Sequence, residues 1–265
     1  MVPSMAALLC NDRAIVLSGL AAAILIAWAY LLIGPGLGGM MPAEGMAMPA
    51  GMAMTAPAWS FGYALIVFAM WAAMMVAMML PSAAPTILLV AALARGRAGL
   101  GGLAAGSAGV FAAGYLLVWV GFGVVATALQ WGLSQAGMLS PMMATADRAV
   151  ASAVLIAAGI YQWTPFKNAC LRQCRSPMAT LLAHWRPGRL GALRSGAFNG
   201  FFCLGCCWVL MALLFVGGVM NFLWIAGIAL LVLIEKTLPW GEWTARAAGA
   251  LLVIWGAATL AAAIL

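Results

Sequence analysis

Charged residues in this chain stand almost entirely at the ends of long apolar runs, and that placement restricts the fold more than any motif does. Only 6% of the 265 residues are charged and 67% are hydrophobic, whereas soluble domains carry about 25% charged residues. No water-facing surface can be built from that inventory. A bilayer-crossing helix needs about 20 apolar residues, so the chain divides into about seven spans, within limits of six and eight. The expectation is an all-α, polytopic transmembrane helix bundle forming a single domain over residues 1–265. The net charge of +7 is explained by topology signals at span ends, so nucleic acid is not expected as a partner.

The spans read as residues 14–33, 59–93, a stretch within 103–131, 148–163, 196–217, 221–238 and 245–265. Cys10, Asn11, Asp12 and Arg13 lead directly into the first run without a small-residue cleavage site, so it reads as a retained span. Gly34, Pro35 and Gly36 end it, and a Met/Gly/Pro-rich outer loop follows over 34–58. Pro81 and Pro85 are expected to break or kink the second stretch. A basic cytoplasmic loop occupies 165–195, and the fifth and sixth spans form a hairpin turning near Met220 and Asn221. With the N-terminus inside, Arg13, Arg95, Arg97, Lys167, Arg172, Arg175, Arg186, Arg189, Arg194, Lys236 and Arg246 fall inside, and Arg148 alone outside. Eleven against one is the bias of the positive-inside rule.

Catalytic inventory is thin: one histidine, His184, and five carboxylates, Asp12, Glu44, Asp147, Glu235 and Glu242. No nucleophile–base–acid set or phosphate loop is visible, so enzymatic activity is not expected and no catalytic residue is assigned. Sulfur is abundant instead, with 19 Met and 6 Cys. Thiols and thioethers suit redox exchange and soft metals such as Cu(I). Helical spacing puts Cys203, Cys207 and Met211 on one face with Cys206 on its flank. Cys170 and Cys174 have Arg172 and Arg175 as neighbours, cations that favour the thiolate. Both clusters fall on the cytoplasmic side of this topology, where thiols stay reduced and metal binding is favoured over disulfides. Met70, Met74 and Met78 recur every four residues, beside Met75 and Met79. Buried Cys and adaptable Met packing would explain the same residues without a ligand. Met40, Met41, Met46, Met48, Met52 and Met54 in the outer loop suit weak, exchangeable capture of Cu(I), with low-complexity filler as the competing account. Glu235 either supplies charge to a bound cation or forms an interfacial ion pair, while Lys236 is expected to snorkel outward.

The order and spacing of these motifs carry a resemblance. Met70-Trp71-Ala72-Ala73-Met74-Met75-Val76-Ala77-Met78-Met79-Leu80-Pro81 is followed by Tyr161-Gln162-Trp163-Thr164-Pro165-Phe166-Lys167, Cys170-Leu171 and Cys174-Arg175-Ser176-Pro177. Then come Cys203-Leu204-Gly205-Cys206-Cys207-Trp208, Gly218-Val219-Met220-Asn221 and Glu235-Lys236. Over residues 59–236 the chain resembles a bacterial family of predicted metal-binding integral membrane proteins. That resemblance implies a multi-pass protein of the bacterial inner membrane with a metal role.

The leading expectation is a Cu(I)-handling membrane protein, a transporter or a carrier to a cuproenzyme, with another soft metal as the variant of the same idea. The outer methionines gather the ion, Met70, Met74, Met75, Met78 and Met79 relay it, and Cys203, Cys206 and Cys207, with Met211, Cys170 and Cys174, bind it. Its partners would be the lipid bilayer, the metal ion, and a membrane enzyme complex or metallochaperone. Two rivals are an accessory or assembly subunit of a larger membrane complex and a membrane thiol–disulfide oxidoreductase. The topology is directly testable. Tags at Arg97 and Arg189 are expected to be reachable only from the cytoplasm and one at Glu44 only from outside. Finding Glu44 and Arg189 on the same side overturns it.

Overall fold

A computed structural model describes residues 5–33, 59–96, 106–139, 145, 147–185 and 188–264. The Met-rich outer loop and Glu44 lie outside the described residues, as do the side chains of Cys10, Arg95, Arg97 and His184. The described residues are helical throughout, apart from turns and one isolated bridge between Leu139 and Thr145. The helices are α1 (Met5–Ile33), α2 (Phe61–Gly96), α3 (Ser107–Gln135), α4 (Arg148–Tyr161) and α5 (Pro165–Arg175). They continue as α6 (Pro177–His184), α7 (Gly188–Ala212), α8 (Leu214–Gly217), α9 (Phe222–Thr237) and α10 (Gly241–Ile264).

Among the described residues, five helical stretches are long and apolar enough to cross a membrane: Ala14–Ile33, Phe61–Leu93, Ser107–Gln135, Gly188–Gly217 and Gly241–Ala263. A sixth crossing arises if α4 and α5, bent by 62°, count together. The bend has a local cause. Asp147 caps the start of α4 by accepting from the Ala149 and Val150 amides. Thr164 then caps α5 ahead of Pro165, which suits the first helical position but cannot continue α4. The expected span at 221–238 is α9, of 16 residues. At about 1.5 Å per residue it is shorter than a hydrocarbon core of about 30 Å. The segment read as a basic loop is mostly helical, because Pro165 and Pro177 each open a helix within it. Pro81 and Pro85 do not break α2, which runs unbroken for 36 residues. Ser82 Oγ donates to the Met79 carbonyl in the turn that holds Pro81, at 2.9 Å.

In the bundle, α1 leans on α2 at the periphery, α2 packs on α3 and α9, and α3 packs on α7. On the other side α10 packs on α4 and α9, while α5 reaches α7 and α9. The two closest crossings are made by glycine, since helices without side chains at the crossing can approach backbone to backbone. A methyl group at Gly196 would collide with the Phe111 carbonyl, and one at Gly114 with the Leu193 carbonyl. At the α4–α10 crossing, a methyl at Gly159 would stand 2.6 Å from the Gly249 carbonyl oxygen. The α3–α7 crossing presses Tyr115 and the Cys203 turn together, so it positions the site described next. Gly196→Ala is expected to destabilise the protein by about 1–3 kcal/mol through overpacking. Gly121→Ala, on the same helix pair but with nothing within 4 Å, should be neutral or slightly stabilising. Equal melting temperatures for the two variants in detergent would show that the seam is not as tight as described.

Candidate metal centre

The thiols of α5 and α7 come together in one neighbourhood beside α2. Cys203, Cys206 and Cys207 are buried midway along the Gly188–Gly217 stretch, and Cys170, Cys174 and all three are free thiols. Cys206 and Cys207 each turn back along their own helix, donating to the Cys203 carbonyl at 3.1 and 2.8 Å. The Cys207 sulfur also lies 3.9 Å from the Met79 thioether. Cys174 lies beside Cys206 across the α5–α7 contact. Cys170 lies against Gly205, where a methyl group would meet its sulfur at 2.9 Å. The two cysteine motifs, 29 or more residues apart in sequence, therefore occupy one site.

The remaining sulfurs fall into place around it. Met70, Met74, Met75, Met78 and Met79 are all buried and form an inner stripe along α2. Met79, at its end, reaches Cys207; Met70 lies about 13 Å back along the helix at 1.5 Å per residue. Met211 is fully buried one turn beyond Cys207. Glu235 does not face the sulfurs: its Oε2 pairs with Lys167 at 2.7 Å and its Oε1 accepts from Gln162 at 3.1 Å. Lys167 also donates to Gln162. Both charges of this pair are buried, 0% and 3% exposed. Burial is tolerable because each is matched by the other and by an amide.

Lys236 is the largest departure from expectation. Its ammonium does not extend outward but donates to the Cys203 sulfur at 2.7 Å and the Ser82 hydroxyl at 3.4 Å. Tyr115 supplies a second polar partner, its hydroxyl 2.8 Å from the Cys203 sulfur and 3.3 Å from the Met79 carbonyl. The sequence did hold a signal for Tyr115: a phenol inside a glycine-rich apolar run needs a hydrogen-bond partner. Lys236 had one as well. Adjacent helical residues point about 100° apart, so Glu235 and Lys236 could not both occupy one interfacial direction. Tyr161 and Trp208 complete the wall. Tyr161 donates to the Gly205 carbonyl and accepts from Trp208 Nε1 at 3.1 Å, joining the end of α4 to the cysteine turn.

Among the described residues, no three His, Cys, Asp or Glu side chains already converge on a common point for a metal ion. The sulfurs that do meet are a mixture of thiol and thioether, with two thiols turned toward a carbonyl. Its spacing nevertheless fits a soft ion. A metal held about 2.3 Å from each of two sulfurs, the zinc–thiolate distance, places them about 3.8–4.6 Å apart between tetrahedral and linear geometry. The Cys207–Met79 separation of 3.9 Å lies in that interval.

The model of one protein family, the PpoB2 copper chaperones, matches residues 68–259. No curated protein and no solved structure matches the chain. The matched stretch contains every sulfur and lysine of the centre and omits α1 and the Met-rich segment before α2. A buried site lined by thiols and thioethers is the chemistry that a copper-handling family requires, and the chain belongs to the PpoB2 copper chaperone family.

Proposed function

We propose that this chain is a membrane-embedded Cu(I) carrier of the bacterial inner membrane that hands its ion to a cuproenzyme. The observation that carries the reading is the Cys207–Met79 contact at 3.9 Å, with Cys203 one turn away, inside a buried sulfur cluster. In this reading Cys207 and Cys203 hold the ion as thiolates and Met79 holds it as a thioether. The mixed set matters, because soft sulfur favours Cu(I), while a thioether ligand is neutral and more readily exchanged than thiolate.

The flanking sulfurs supply a route. Met70, Met74, Met75 and Met78 line the approach along α2, and Cys206, Cys174 and Cys170 lead away toward α5. Cys174 is the half-buried member of that exit. Transfer proceeds by exchange of one sulfur for the next, so copper never meets bulk water as a free ion. The oxidoreductase alternative has less support, since Cys203, Cys206 and Cys207 are buried away from any incoming protein disulfide. Carrier is preferred to transporter because the family is one of chaperones.

Copper content of the purified, reduced protein tests the proposal. Cys203→Ser with Cys207→Ser is expected to remove most bound copper while the helices still insert. The changes are small, and hydroxyl oxygen is a poor ligand for Cu(I). Met79→Leu conserves volume and is expected to weaken affinity by about tenfold, or about 1.4 kcal/mol. Because each thiol gives up its proton on binding, wild-type affinity should rise with pH. If the double variant retains the wild-type copper content, the cluster is packing and the proposed site is wrong.

A further inference from the structure

The helix pair that carries the centre changes chemistry within two turns of it. Met79 of α2 faces Cys207 of α7. One turn further along, Ser82 and Cys203 are joined through the Lys236 ammonium. One turn beyond that, Thr86 and Asn199 line an enclosed cavity together with Ser195 of α7 and Thr180 of α6. These four polar side chains are only 5–8% exposed, and Phe111 and Leu181 form part of the apolar wall around them. The cavity leaves about 10 Å³ for the centre of a water-sized sphere, which is about what one water molecule needs. Thr180 is already bonded to the Gln173 and Ser176 carbonyls, at 3.2 and 3.1 Å. Among the described residues, nothing hydrogen-bonds the Thr86 hydroxyl, the Ser195 hydroxyl or the Asn199 amide.

We infer that this cavity is a binding site for a single water molecule, held by Thr86, Ser195 and Asn199. An unmatched hydroxyl or amide is costly in an apolar interior, and three that share one small cavity would each carry that penalty. One water molecule answers all three. It donates two hydrogen bonds and accepts two, while each hydroxyl and the amide can both give and receive. Packing alone would be served as well by Val at 86, Ala at 195 and Leu at 199, which keep similar volumes without the polar atoms. The water site goes beyond copper binding and holds whether or not the sulfurs take a metal. If they do, it marks where sulfur ligation ends along this seam. Past Cys203 the facing side chains offer oxygen and amide, poor ligands for Cu(I), with water between them.

The test is radiolytic footprinting of the full-length, copper-free protein in lipid nanodiscs. A brief X-ray pulse turns bound water into hydroxyl radicals, and mass spectrometry locates the side chains they oxidise. Phe111 and Leu181, buried on the cavity wall, are expected to be oxidised several-fold more than Phe215 and Leu155, which are buried away from it. Asn199→Leu, apolar and of similar shape, should abolish the labelling of Phe111 and Leu181 while exposed Phe61 is labelled as before. Thr86→Val removes one hydroxyl and keeps the shape, and it gives an independent answer should Asn199→Leu not fold. If water matches the hydroxyl, this change lowers the melting temperature by about 2–4 °C; if nothing matches it, the change leaves stability equal or higher. Three results each overturn the water site: Phe111 and Leu181 labelled no more than Phe215 and Leu155, labelling that survives Asn199→Leu, or a Thr86→Val variant at least as stable as wild type. None of them bears on the copper reading, which metal content decides separately.

Discussion

The buried pair of Lys167 and Glu235 is the contact on which the rest of the centre depends. Two unpaired charges in this apolar interior would be intolerable, but together, with Gln162 bridging them, they join α5 to α9. Arg175 reinforces the junction by donating to the Leu238 and Pro239 carbonyls at 2.8 and 2.6 Å. Once Glu235 is turned toward α5, the next residue points about 100° around the helix. That rotation delivers Lys236 to Cys203. The ion pair therefore contributes more through orientation than through net attraction, which is modest for buried pairs once desolvation is counted.

Around that junction the centre is assembled from parts that no single helix contains. α7 brings three thiols, α5 brings two, α2 brings the thioether, α3 brings the Tyr115 phenol and α9 the ammonium. Tyr115, Lys236, Lys167 and Glu235 each end on another polar group or a sulfur, as an apolar interior demands. Trp71 obeys the same rule further along α2, donating from Nε1 to Gln130 at 2.7 Å. The result is a buried cluster of sulfurs with a few paired polar groups inside a bundle of membrane-length helices.

The helical character of the chain was legible because charge scarcity and run length act locally. The same holds for the Cys203–Cys207 alignment, which follows from helical spacing alone. The meeting of Cys174 with Cys206, and of Met79 with Cys207, was not legible, because a contact across 32 or 128 positions leaves no trace in local periodicity. Two lysines were misread for one reason. Lys167, in the basic segment 165–195, and Lys236, read as an interfacial anchor, were placed toward water because charge was taken as its marker. Both point inward, where Glu235 and Cys203 meet them, while Arg172, Arg189 and Arg194 of that segment are exposed. The bounds of α9 were legible too, with Asn221 capping its start and Leu238 its end as the run from 221 to 238 implied; its 16 residues are simply short for a full crossing.

The glycine seam between α3 and α7 also bears on how a chain of this kind can vary. Lipid-length helices are usually permissive, since most apolar residues satisfy an outward face such as that of Leu25, Ile26 or Leu223. At Gly114 and Gly196 the opposing surface is main chain, which cannot rotate aside as a side chain can. Drift across the outer faces is nearly free, while a single added carbon at the seam shifts Tyr115 against Cys203. Mutational tolerance is thus divided sharply within one helix pair, with the narrowest latitude at positions that carry no side chain at all.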